Sequence, residues 1–411
     1  MKNFLAIGFI WLGCALAWMV LGSTLLARSG ESSAALNGEV QLLWGPPMQQ
    51  SPPRAFYRQT VKKRQKVTGY GPQGQPLEQE VERDEDVDFA IPLERSELRV
   101  ALDLAHRQKG LLWFATYGID FGGEYTFVND TSAARHVELR FPLTAANTIF
   151  DGFAVTTLDG KAVAANITNN EAQWSCELGA GEKVGFAVRY KSRGTGTWRY
   201  ELTAGTGQVR NFRLSLDTNF NEIDFPAGTL SPSKHEVRGA GWHGEWSFAS
   251  LVANTPIGLE LPQRLNPGPL AARITFFAPV GLLFFFFVVA NFAAIRGANI
   301  HPLNYFFLGT AFFAFHLLFA YLVDHLSILP SFLIASEVSI LLVVSYARLF
   351  VGWRFALREM GLAQLIYLVL FSFSFFWQGF TGLAITIGAV VSLFVMMQVT
   401  GRAKLLQSPP A

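Results

Sequence analysis

Uncharged apolar runs constrain this chain more than any other feature. One extends from Phe4 to Leu26, and five follow one another from Ile274 to Val399. Each is close to the ~20 residues that a helix needs to cross the hydrocarbon of a bilayer. The pattern predicts a membrane protein of mixed class: an N-terminal transmembrane helix, one or two antiparallel β-sandwich-like domains outside the bilayer, and a C-terminal bundle of five transmembrane helices. The expected segments are a start and anchor helix at 1–27, a β-rich domain at 28–270, a membrane domain at 271–400 and a tail at 401–411. Within the membrane domain the spans are expected at 274–295, 303–323, 330–347, 360–377 and 379–399.

The cations orient these spans. Lys2, Arg296, Arg348, Arg354, Arg358, Arg402 and Lys404 all fall on one side if the chain crosses alternately, whereas the turns Asp324 to Pro330 and Gln378 to Thr381 hold no Lys or Arg. The positive-inside rule then places both termini in the cytoplasm and residues 28–270 outside. A cleaved signal peptide is the alternative reading of the first run. Its uncharged stretch from Asn3 to Ala27 exceeds the usual apolar core of ~7–15 residues, so an uncleaved anchor is expected. Leu12-Gly13-Cys14 fits a lipoprotein box poorly, because Trp11 stands where such a box has Leu.

The cysteines are Cys14, in the membrane run, and Cys176. No disulfide can form within the outer domain, which must therefore be held by a hydrophobic core. Lys and Arg number 33 against 31 Asp and Glu, and the outer segment shares this near-neutrality, which argues against nucleic acid or a uniformly anionic surface as partner.

Two segments of that domain are charged in opposite senses. Arg54, Arg58, Lys62, Lys63, Arg64 and Lys66 occur without an acid; Glu78, Glu80, Glu82, Asp84, Glu85, Asp86 and Asp88 occur with one cation, Arg83. The turn-rich Gly69-Tyr70-Gly71-Pro72-Gln73-Gly74-Gln75-Pro76 lies between them, so a hairpin with cross-strand charge pairs is expected. Charge runs are usually solvated faces; the functional alternative is a docking site for a charged partner. Further on, Leu98, Val100, Leu102 and Leu104 alternate as in a half-buried strand. Tyr125 to Val128, Val137 to Phe141, Phe153 to Thr157, Gly185 to Tyr190 and Trp198 to Leu202 repeat the pattern between turns such as Asp159-Gly160. Phe212 to Leu261 has the same character, which suggests two packed β-subdomains divided near 205–212. Pro262, Pro267, Gly268 and Pro269 read as a stiff linker into the second span.

Chemical motifs are incomplete. His235-Glu236 begins like a zinc-protease helix, but Gly239 stands where the second ligand belongs. Ser231-Pro232-Ser233-Lys234 has the spacing of a nucleophile box without its companion motifs. His243 and Glu245 share one strand face between Trp242 and Trp246; with His235 they form a metal-ligand candidate, against which an exposed strand face is the simpler reading. No cofactor and no catalytic chemistry are expected.

Ionisable groups at bilayer depth are costly and usually functional. His316 and Glu337 flank the Asp324 to Pro330 turn at similar sequence distances, which at ~1.5 Å per residue puts both near the midplane of one hairpin. They are expected to pair, either relaying protons or ions in a transporter or binding two helices together. Asp324 and His325 belong at the interface, and Gln364 and Gln378 are weaker candidates. Pro279, and Gly379 with Gly382, are the faint signs of interrupted helices that a transporter reading has.

His301-Pro302-Leu303-Asn304-Tyr305-Phe306-Phe307-Leu308-Gly309, then Asp324-His325, Ile334-Ala335-Ser336, Tyr346 and Gly352-Trp353-Arg354, together resemble segments of the inner-membrane CreD family. Leu43-Trp44-Gly45-Pro46-Pro47 and Arg107-Gln108-Lys109-Gly110 extend the resemblance upstream. It implies a multi-pass protein of the cell inner membrane with a periplasmic β-domain, contributing to envelope integrity, whose partners are the lipid bilayer and other envelope proteins. It brings no catalytic residues, and His316 and Glu337 lie outside its segments. Physically, His301-Pro302 reads as a device for starting the third span, since proline suits a first helical turn.

Overall fold

A computed structural model describes residues 2–70, 76–143, 148–203, 207–377 and 379–402. The chain divides into two compact units. The helical unit comprises Met1–Leu36, Gln108–Leu112 and Leu265–Ala411; the β unit comprises Asn37–Arg107 and Trp113–Arg264.

The first helix, α1 (Lys2–Trp44), outruns its expected end at residue 27. The apolar signal stops at Ala27, but Glu31, Ala34, Ala35, Leu36 and Glu39 still favour helix, and the first real breaker is Gly45, at φ 115°, followed by Pro46 and Pro47.

Fifteen described strands follow. They are β1 (Met48–Gln50), β2 (Arg54–Tyr70), β3 (Pro76–Ile91), β4 (Leu93–Lys109), β5 (Leu112–Val128), β6 (Arg135–Pro142), β7 (Asp151–Thr157) and β8 (Asn166–Thr168). The remainder are β9 (Glu171–Leu178), β10 (Lys183–Thr195), β11 (Thr197–Tyr200), β12 (Gly207–Thr218), β13 (Lys234–Arg238), β14 (Gly241–Ala253) and β15 (Ile257–Glu260). A seven-stranded sheet has the order β13-β14-β12-β4-β5-β10-β7, a five-stranded sheet β3-β2-β6-β9-β8, and a three-stranded sheet β1-β11-β15.

Alternation places Leu98, Val100 and Leu102 of β4 inward, facing a core shared with Val137, Leu139 and Phe141 of β6. Rings interdigitate across the two larger sheets: Phe121 lies 6.4 Å from Phe141, and Trp174 meets Phe186 edge-on at 5.5 Å. The tight β8–β9 turn uses Asn169 and Asn170, both at positive φ, as a two-residue hairpin loop requires.

The expected split near 205–212 is corrected by the sheet topology. Strand β12 pairs in parallel with β4, Leu214 opposite Leu98, so the block from Phe212 onward completes the same seven-stranded sheet. That pairing joins segments more than a hundred residues apart, and local pattern cannot reveal it.

In the helical unit, α2 (Pro267–Ile295) begins at a proline that sequence reading assigned to a linker. Pro267 and Pro269 occupy the first turn, where a missing N–H costs nothing. Then come α3 (Pro302–Leu322), α4 (Ile328–Val351), α5 (Trp353–Phe376) and α6 (Thr381–Arg402). The expected loop between the fourth and fifth spans shrinks to Gly352, at φ 78°; Arg354 and Arg358 are helical. Within α5, residues Ala356–Met360 and Leu365–Leu370 widen into π-helical turns.

Phe285, Phe312, Phe315, Phe319 and Phe332 fill the bundle core. Gly281 brings α2 against α5 so closely that a Cβ there would lie 2.5 Å from the carbonyl oxygen of Tyr367. Helix α6 is different: only 6% of its span is buried, against 39–44% for the spans of α2 to α5.

Candidate functional site

Much of the β2–β3 ribbon of the β unit is exposed. The strands run antiparallel and in register from Ala55 opposite Ile91 to Tyr70 opposite Pro76, a length of about 50 Å at ~3.3 Å per residue. Only Arg54, Ala55 and Phe56 of β2 pair with β6, so beyond Phe56 the ribbon has no further strand neighbour among the described residues. Its root is fixed by Tyr57 stacked on Phe89 at 5.5 Å, with the Arg135 guanidinium 4.4 Å from the Tyr57 ring.

Opposite charges meet across the strands as the sequence leads one to expect. Arg58 bonds Asp88 at 2.8 Å, Lys63 lies 2.9 Å from Glu85, Arg64 lies 3.4 Å from Glu82, and Thr60 donates to Asp86 at 2.7 Å. The Arg58 hydrogen bond holds the Asp88 carboxyl below the usual carboxylate range. All these side chains remain largely in solvent, and screening makes such pairs weak contributors to stability. They keep charge densely displayed along both strands. The connecting residues 71–75 lie outside the described residues.

Inside the helical unit, His316 on α3 is 1% exposed. Its ring is edge-on to Trp18 at 5.4 Å and to Phe315 at 4.8 Å. Nδ1 lies 3.1 Å from the carbonyl oxygen of Phe312; since a carbonyl only accepts, Nδ1 carries the proton. Nε2 has no hydrogen-bond partner among the described residues, and neither does the buried indole N–H of Trp18.

The structure does not bring His316 and Glu337 together. Glu337 is exposed, whereas Ala335, Ser336 and Ser339 of α4 face inward. Helix rise matched the depths of the two residues, but the ~100° step per residue turns Glu337 away from α3. The polar join between these helices is instead Ser339, whose Oγ donates to the Ala311 carbonyl of α3 at 2.8 Å and accepts from Gln364 Nε2 of α5 at 2.8 Å. Gln364 is fully buried, stands between the two π-helical segments, and its Oε1 lacks a partner among the described residues. Gln378 lies outside the described residues.

Sequence reading missed Ser339, a small hydroxyl in an apolar run, and Glu359. The latter pairs with Arg296 from a π-helical turn of α5, and its Oε2 is buried without a partner among the described residues. Glu359 sits where the sequence reads as loop, so nothing marked it as enclosed.

The family-motif residues have structural tasks. His301 caps α3, its Nδ1 accepting from the Leu303 N–H at 3.2 Å, and Pro302 is the first helical residue. Asn304 accepts from the Tyr346 hydroxyl at 2.9 Å, and buried Tyr305 meets Phe286 edge-on at 5.2 Å. Asp324 pairs with Arg28 of α1 at 2.9 Å, and His325 beside it is exposed.

In the β unit, His243 is held between Asp217 at 2.7 Å and Glu245 at 3.3 Å, while His235 stacks against Trp242. No group of three His, Cys, Asp or Glu suited to a metal occurs among the described residues. The Ser233 hydroxyl accepts from the Ser247 N–H, leading the chain into β13.

Comparison with known proteins gives one extensive match: the family described as "Inner membrane protein CreD" matches residues 3–405. No curated protein matches the chain. Among solved structures, a putative nutrient binding protein from Legionella pneumophila is 13% identical, with a TM-score of 0.30 over 48% of this chain and 74% of its own. An M1 zinc metallopeptidase from Deinococcus radiodurans is 10% identical, with a TM-score of 0.21 over 41% of this chain and 42% of its own. Likenesses this distant carry no argument about function.

Proposed function

Because the chain belongs to the CreD family of inner membrane proteins, we propose that it contributes to the integrity of the cell envelope, with its β unit on the periplasmic side as an interaction surface and with no catalytic chemistry of its own. The β2–β3 ribbon carries this reading. A long two-stranded arm with exposed edges invites pairing with another chain, and dense charge restricts which chain can approach. A purely structural hairpin has no need of that length.

The test replaces residues 58–88 by a short Gly-Ser turn, leaving the root of β2 and β3 in place, in cells lacking the natural copy. Expression and membrane insertion should persist while sensitivity to detergents and to bulky antibiotics rises to that of the deletion strain. Photo-crosslinkers at Lys63 and Glu85 should capture an envelope protein. Full complementation by the shortened chain would sink the proposal.

A second reading, transport through the helix bundle, draws on Gln364 Oε1, which has no partner among the described residues and lies between π-helical turns, an arrangement frequent at functional sites. It requires that Gln364→Leu abolish envelope protection while the protein still folds. Retained protection in a folded Gln364→Leu variant eliminates it.

A further inference from the structure

Arg28 is the first charged residue along α1 after Lys2, and Asp324 is the first after Arg296. Both therefore stand where uncharged spans leave the hydrocarbon. The structure joins them: Arg28 Nη2 is 2.9 Å from Asp324 Oδ2, each side chain is 43% exposed, and the guanidinium lies 5.4 Å from the Tyr321 ring. Tyrosine at this level is typical of the headgroup zone.

Beside the pair opens a cavity of about 400 Å³ within the helical unit. Arg28, Ser29, Ser32 and Asp324 bring polar groups to its lining, and Leu25, Ala271 and Ala320 are among its apolar residues. Such an arrangement suits a ligand that is charged at one end and hydrocarbon at the other.

We propose that this cavity binds a zwitterionic aminophospholipid, with the phosphate on Arg28 and the primary ammonium on Asp324. A guanidinium carries five N–H donors and one carboxylate does not exhaust them, so Arg28 can keep Asp324 and still hold phosphate oxygens. The carboxylate accepts from an ammonium with the oxygen turned from Arg28. An anionic lipid without an amine brings its phosphate beside Asp324 with nothing to offset the repulsion. A trimethylammonium headgroup matches in charge but donates no hydrogen bond.

Native mass spectrometry of the full-length protein with phosphatidylethanolamine, phosphatidylglycerol and phosphatidylcholine tests the assignment. Phosphatidylethanolamine should be retained about tenfold more than either competitor, and inorganic phosphate should not displace it. Arg28→Gln and Asp324→Asn should each remove the preference. Leu25→Phe, which narrows the cavity and leaves the ion pair intact, should also reduce retention, so the outcome does not depend on the charge variants folding. Equal retention of phosphatidylglycerol, displacement by inorganic phosphate, or an unchanged ranking in folded Arg28→Gln and Asp324→Asn would overturn the proposal.

Discussion

Gln364 of α5 donates its side-chain amide to the Ser339 hydroxyl of α4 at 2.8 Å, and Ser339 in turn donates to the Ala311 carbonyl of α3. Three helices are thereby tied through one hydroxyl. Removing Ser339 strands the Gln364 amide in an apolar interior, and removing Gln364 takes from the Ser339 hydroxyl the donor it accepts from, while its own bond to Ala311 remains. Ser339→Ala and Gln364→Leu are each expected to cost about 1–2 kcal/mol, and the double variant less than the sum of the two. A double-mutant cycle on unfolding in mixed micelles measures this; strict additivity would refute the coupling.

His316 and Glu337 give the opposite expectation. One is enclosed by Trp18 and Phe315, the other faces outward from α4. His316→Phe and Glu337→Leu should be additive within about 0.5 kcal/mol in the same assay. His316→Phe should be tolerated, because it replaces a ring whose Nε2 has no partner among the described residues with an apolar ring of similar shape.

Gly281 tests the closeness of α2 to α5. A Cβ at this position meets backbone, the Tyr367 carbonyl oxygen at 2.5 Å, and no side-chain rotation relieves it. Gly281→Ala should cost about 1–3 kcal/mol by forcing the helices apart. Gly388→Ala on α6, where a Cβ meets nothing within 4 Å, is the control and should leave the thermal transition in place.

The ribbon should loosen in acid. Arg58 lowers the Asp88 carboxyl below its ordinary value of 3.8, so the folded ribbon binds that proton more weakly than the unfolded chain. The stabilisation is present in full above about pH 4 and disappears as pH falls through the lowered value. Amide exchange in β2 and β3 should accelerate, relative to the core strands, only in that acid range. In Arg58→Gln this additional acid sensitivity should vanish.

Membrane orientation rests on the distribution of Lys and Arg. A phosphatase inserted in the Asp159-Gly160 turn should be active, and one fused after Arg402 inactive. The reverse pattern would invert the topology.

The membrane class was legible because apolar runs are long and uncharged, and the ribbon because its two strands carry opposite signs around a turn. Less accessible features depend on direction or on distant pairing. Glu337 has the depth of His316 but points elsewhere, and a count of residues from a turn gives depth only. Ser339 carries one hydroxyl among apolar neighbours and becomes visible when Gln364 arrives from another helix. Glu359 is enclosed through π-helical turns that no residue pattern announces. The parallel β12–β4 pairing requires contact between segments remote in the chain, and α1 continues past Ala27 on helix propensity after its apolar signal has ended.

The sparse burial of α6 has a consequence for sequence change. Most of its described positions are exposed, and a lipid neighbour there rewards apolar character and is indifferent to shape. Leu, Ile, Val and Phe should exchange there freely, whereas Phe315 or Gly281, pressed against fixed neighbours, admit few substitutes. Diversity along α6 should therefore track hydropathy alone, and in α2 to α5 it should be confined to the faces turned outward.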